Sequence, residues 1–233
     1  MAMLNFTDFD ILTFDCYGTL IDWETGLFSA LRPVLKAHSK RMSDGELLAL
    51  YGELEAKGEE GAFHCYRDVL QSVVRGFGEH LGFVPSDAEA HALPESLKNW
   101  LPFPDTVRSL QKLKTRFRLG VISNVDDDLF AATAKRLQDP FDHVITAQQA
   151  QCYKPGMKIF NLALERIGIP SERILHCAQS VYHDVVPARL LGISSVWVNR
   201  PSPRQGIGAV RPAYGQPDLE VPNLETLANL ALA

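Results

Sequence analysis

The chain has 233 residues, 46% of them hydrophobic, and a formal net charge of -5. That suits one α/β domain with an insertion, or two small domains, and allows a sizeable core. Scattered charges, no sustained basic stretch and no long apolar segment argue against nucleic-acid or membrane partners. Residues 1–10 carry Asp8 and Asp10 and lack the basic start of a secretory leader. Cys16, Cys65, Cys152 and Cys177 show neither disulfide nor zinc spacing. A cytoplasmic protein with reduced thiols is the expectation.

The first element is the run Ile11-Leu12-Thr13-Phe14, which ends in Asp15 and is followed by Gly18. It reads as a buried strand whose last residue projects a carboxylate, with glycine allowing a tight turn. Four helical stretches follow with no strand between them: 25–40, 43–57 (stopped by Gly58 and Gly61), 63–80 and 86–100. They read as a helical cap over residues 23–98, inserted into an α/β core made of 1–22 and 99–233. From residue 105 helices and strands alternate: helix 105–116, strand 118–124, helix 127–137, strand 143–146, helix 157–167, strand 173–178, helix 183–191, strand 194–198, a weak strand near Leu219 and helix 224–232. Such alternation predicts a doubly wound parallel sheet. The Pro- and Gly-rich stretch 200–217 reads as an irregular loop.

Polar residues fall at four strand ends or the loops that follow: Asp15, Ser123-Asn124, Cys152-Tyr153-Lys154-Pro155, and 179–184. In a parallel sheet these ends share one edge and converge on one cleft. A carboxylate there can act as a nucleophile and form an ester or acyl phosphate that water then cleaves. Lys154 would hold that carboxylate ionised, and Ser123 would donate to an oxygen-bearing or departing group. Asp184 reads as a base or water-orienting group, or as a helix cap. Thr19 reads as a support for Asp15 or as packing, and Asn124 as a participant or a turn residue.

Asp15-Cys16-Tyr17-Gly18-Thr19-Leu20, Ile122-Ser123-Asn124, Lys154-Pro155 and Asp184 together resemble the four motifs of the haloacid dehalogenase superfamily. The resemblance covers the whole chain, including the helical block where that family inserts its small cap. It implies Asp15, Lys154, Asp184, Ser123, Asn124 and Thr19 as catalytic residues. Phosphatases of the superfamily generally carry a second aspartate two places after the nucleophile, as general acid. Here stands Tyr17, as in the L-2-haloacid dehalogenases, whose halide leaving group needs no proton. Gln179 stands where phosphatases use an acid to bind magnesium.

The resemblance therefore implies a cofactor-free hydrolase acting on a short 2-haloalkanoic acid, a small-molecule substrate. The alternatives are a Mg2+-dependent phosphatase with Asp15, Tyr17 and Asp184 at the metal, and a weakly active or non-catalytic member that binds a small molecule. Relatives of this kind carry an arginine early in the second cap helix to grip the substrate carboxylate. Gly52 or a neighbour falls there, so Arg67 becomes the candidate substitute, with a solvated helix arginine as the alternative. Tyr17, Tyr153, Gln179 and Ser180 complete the expected substrate contacts, and a homodimer is a further implication.

Overall fold

The computed structural model describes residues 4–201 and 213–233. Six strands, β1 (Ile11–Phe14), β2 (Arg118–Ser123), β3 (His143–Thr146), β4 (Ile174–Ala178), β5 (Ser194–Val198) and β6 (Leu219–Val221), form one sheet in the order β3-β2-β1-β4-β5-β6. Every pairing is parallel. Strands covered on both faces must be apolar nearly throughout, and all four residues of β1 and all five of β4 are buried. The expected doubly wound sheet is present. The order reverses between β1 and β4, the point where open α/β sheets bind ligands. Register sets Phe14 level with Val121 and Cys177, so three strand ends reach one edge together.

The cap consists of α1 (Trp23–Ala37), α2 (Asp44–Glu59), α3 (Tyr66–Leu81) and α4 (Asp87–Ser96). Ser43 with Glu46 and Ser86 with Glu89 form reciprocal capping boxes that start α2 and α4. The expected break at Gly58 does not occur; α2 runs on through Glu59. A Cβ at Gly58 would lie 2.8 Å from Val69 Cγ1. That glycine lets α2 and α3 approach closely instead of ending a helix.

The core helices are α5 (Thr106–Lys114), α6 (Asp127–Arg136), the single turn α7 (Ala147–Ala150), α8 (Met157–Ile167), α9 (Val186–Leu190) and α10 (Leu224–Ala231). The helix expected over 183–191 is split. Asp184 sits in a π-helical turn, Val181–Val185, and only then does α9 begin. Part of the irregular loop expected over 200–217, residues 202–212, lies outside the described residues. Among the described residues no helix is long and apolar enough to cross a membrane.

Asp126 ties cap to core. Cys65 at the start of α3 supplies no side-chain cap. Asp126, after β2, accepts instead from the backbone N–H of Tyr66 (2.8 Å) and Arg67 (2.9 Å). It thereby satisfies two otherwise unpaired donors and sets a charge at the positive end of the helix. Asp126→Ala is expected to lower stability in urea by about 1–2 kcal/mol, the size of a lost helix cap. Exposed Asp128→Ala should cost less than about 0.5 kcal/mol.

Candidate active site

At the carboxyl edge of the sheet, under α2, lies a cleft of about 100 Å3. Asp15, Ser123, Lys154, Gln179, Ser180 and Asp184 line its floor; Tyr17, Trp23, Tyr51, Tyr66 and Trp100 give it an aromatic wall. Glu55 and Glu59 of α2 face it from above, and Asn124 and His183 complete the lining.

Lys154 is the centre of the floor and is 2% exposed. Its Nζ donates to Asp15 Oδ1 (2.8 Å), Asp184 Oδ1 (2.7 Å) and the Ile122 carbonyl (2.9 Å). An ammonium has three protons, and all three are used. Taking such a charge out of water costs several kcal/mol, and a buried pair offsets this only when its remaining donors are satisfied. That condition is met. Burial alone would depress the Lys154 ammonium, but the two carboxylates outweigh it and hold the group well above the usual lysine range.

The carboxylates are pushed apart. Burial raises Asp15 above the ordinary aspartate range, with Lys154 opposing and Asp184 reinforcing. Asp184, also penalised by burial, is drawn down to about 2 by Lys154 and by His176. His176 Nε2 lies 2.9 Å from Asp184 Oδ1, and its Nδ1 lies 2.9 Å from Thr13 Oγ1. Thr19 Oγ1 donates to Asp15 Oδ2 at 2.7 Å and accepts from the Gln179 amide at 2.9 Å. Asn124 acts on the backbone: its Oδ1 accepts from the Lys154 N–H (2.7 Å) and its Nδ2 donates to the Lys154 carbonyl (3.1 Å). Among the described residues two buried polar side-chain atoms have no partner, Ser123 Oγ and Asp184 Oδ2. Both residues line the cleft.

Of the expected site residues, Asp15, Tyr17, Thr19, Ser123, Asn124, Lys154, Gln179, Ser180 and Asp184 come together. The Tyr17 hydroxyl is 2.9 Å from Thr133 Oγ1 and its ring meets Trp100 edge-on at 5.7 Å, so the residue forms wall. Ser180 accepts from the His183 N–H through its hydroxyl. Tyr153 is displaced from the cleft. Its hydroxyl donates to the His64 carbonyl at 2.8 Å, and it lines an adjoining hollow with Gly52.

The expectation for Arg67 is corrected. Its guanidinium donates to Glu95 (2.8 Å) and Asp128 (2.6 Å), and it does not line the cleft. A capped helix start surrounded by acids holds it at the seam. Sequence reading missed His176, a lone imidazole in an otherwise apolar central strand. It also missed Glu55, whose signal is the spacing Tyr51-Glu55-Glu59 along one helix face.

Magnesium fits this floor poorly. Both Asp15 oxygens accept from Lys154 or Thr19, Asp184 offers Oδ2, and Gln179 adds only a neutral amide. Hard dications favour several carboxylate oxygens. Among the described residues no cluster of three or more His, Cys, Asp and Glu could hold a metal ion.

The haloacid dehalogenase-like hydrolase family matches residues 9–178. The chain belongs to that family. It is 27% identical over 226 residues to an (S)-2-haloacid dehalogenase of Pseudomonas sp. (strain YL), covering 94% of this chain and 93% of that one. A 107-residue segment, 42% of this chain and 45% of the other, is 34% identical to a glyceraldehyde 3-phosphate phosphatase of Methanothermobacter thermautotrophicus. Its fold is similar to that of the L-2-haloacid dehalogenase of Xanthobacter autotrophicus with chloropropionic acid covalently bound, with a TM-score of 0.82 and 20% identity over 97% of this chain and 99% of that one.

Lys154→Met leaves Asp15 and Asp184 buried together without their cation. A loss of about 3–5 kcal/mol is expected at pH 8 by urea denaturation. Without the lysine both carboxylates favour their protonated forms, so stability lost as pH rises should be regained on acidification. The gap to the parent protein therefore narrows towards pH 5.

Proposed function

We propose that the protein hydrolyses the carbon–halogen bond of a short 2-haloalkanoic acid or a close derivative, with Asp15 as nucleophile. The observation that carries this reading is the Lys154 ammonium bridging Asp15 and Asp184, beside a tyrosine wall that lacks a general acid. An Asp15 oxygen attacks the halogenated carbon, the carbon–halogen bond breaks, and halide departs with the bonding pair. Halide needs no proton, so Tyr17, whose phenol burial keeps protonated, suffices at that position. The Ser123 hydroxyl, with no internal acceptor, donates to a substrate oxygen or the leaving halide.

Water then attacks the Asp15 ester carbon. Its oxygen stays with Asp15, the original carboxyl oxygen leaves in the product hydroxyl, and one net proton is released. Asp184 Oδ2 holds that water; a carboxylate held near 2 is suited to orienting water more than to retaining its proton. Thr19, Asn124 and His176 are positioning residues. The names and coverage of the relatives support the same reaction class.

Halide release from 2-chloropropionate, chloroacetate or chloroacetamide is the test. Turnover should survive EDTA and fall by at least about 10^3-fold in Asp15→Asn. No halide from any of the three contradicts the reading. Release of phosphate from an aryl phosphate, dependent on added magnesium, would favour the phosphatase chemistry of the shorter match.

Attack requires ionised Asp15, and burial raises its pKa, so kcat/KM should fall on the acid side with a midpoint above 3.8. The alkaline side should stay flat while Lys154 keeps its proton. Ser123→Ala should cut kcat/KM by about 10–100-fold. Because it removes an unsatisfied buried hydroxyl, it should leave Tm unchanged or raised.

A further inference from the structure

The side of the cleft opposite the floor is built from α2, and it is acidic. Tyr51, Glu55 and Glu59 lie four residues apart and so share one helix face. The Tyr51 and Tyr66 hydroxyls both donate to Glu55 Oε1 at 2.6 Å. Burial raises the Glu55 carboxyl above the ordinary glutamate range, and these two short O–H···O contacts on one oxygen oppose that shift by favouring the carboxylate. They also fix the side chain, so Glu55 is a pre-set group and not a mobile surface acid.

Asp15, Asp184, Glu55 and Glu59 line the cleft, and among the described residues Lys154 is its only lysine or arginine. Its three protons are already given to Asp15, Asp184 and Ile122. The adjoining hollow repeats the pattern, with Glu55, Glu59 and Glu60 and, among the described residues, no lysine or arginine but Lys154. A carboxylate on the substrate therefore meets no free lysine or arginine, has His183 as the remaining basic side chain of the lining, and faces Glu55, where like charges repel. The Ser123 hydroxyl, 1% exposed and without a partner on the opposite side, marks the space between as a ligand site.

We infer that the substrate's polar end is a nitrogen-borne hydrogen-bond donor, a primary amide or an ammonium group, received by the Glu55 carboxylate. This rests on the Asp15 reading for where the substrate lies, and it moves the preferred class from 2-halo acids to 2-haloamides or short haloamines. Glu55, held by Tyr51 and Tyr66, is the specificity-determining residue. Ser123 receives the carbonyl oxygen of an amide.

The test uses unreactive analogues, so it does not depend on dehalogenation. Propionate, propionamide and propylammonium are titrated by calorimetry or ligand-detected NMR into the resting protein and into Glu55→Gln. Expected is binding of the amide or the ammonium at least about tenfold tighter than propionate, a difference of about 1.4 kcal/mol. Amide first indicates a haloamide and ammonium first a haloamine. Glu55→Gln should remove most of the preference for the ammonium, while Glu59→Gln changes it less.

Propionate binding as tightly as either nitrogen compound overturns the inference, as does an unchanged ranking in a folded Glu55→Gln. Absence of binding by all three overturns it too. Should Glu55→Gln fail to fold, the ranking in the parent protein still decides. Failure of the Asp15 chemistry shows separately, as no halide released from any haloacid or haloamide.

Discussion

A single buried ammonium governs the carboxyl edge of this sheet. Lys154 has no water to fall back on, so each of its three protons needs an acceptor, and the acceptors come from the ends of β1 and β2 and from the turn after β4. Parallel register brings those ends level, and Asn124 clamps the lysine's own backbone so that the ammonium reaches them. Losing the register or the clamp would strand a charge in the core, at a cost comparable to a large part of a domain's net stability. Fold and site are thus one constraint.

That arrangement divides the work between two carboxylates. Asp184, bound by both Lys154 and His176, is the member held low; Asp15, bound by Lys154 and the Thr19 hydroxyl, is the one whose proton affinity rises. Two acids sharing one lysine but differing in their second partner suit two jobs, attack on carbon and orientation of water. The cap adds a different kind of information. Its aromatic residues wall the cleft above that pair, and under the proposed chemistry the acids of α2 bear on which polar group accompanies the reacting carbon.

The core was legible because its physics is local. Short apolar runs separated by helices of regular length spell a parallel sheet, and strand ends in such a sheet must share an edge. Asp15, Ser123, Lys154 and Asp184 followed from that geometry. Arg67 was misread because its partners, Glu95 and Asp128, lie 28 and 61 residues away and no periodicity announces them. Gly58 was misread as a breaker because a helix–helix approach and a helix stop look alike until the second helix is in place. His176 touches Thr13 across 163 residues, a contact that only strand order reveals. Glu55 was visible as a stripe on α2, but the stripe means nothing until the cleft lies beneath it.

The central claim is that Asp15 becomes covalently esterified and is regenerated by water at its own carboxyl carbon. Single-turnover reaction in 18O-labelled water, followed by mass spectrometry of the peptide containing Asp15, addresses it directly. Attack by Asp15 predicts a gain of about 2 Da on that aspartate and an unlabelled hydroxyl in the first product released. Label in the product hydroxyl with none on Asp15 would mean that water attacked the substrate carbon itself, and would contradict it.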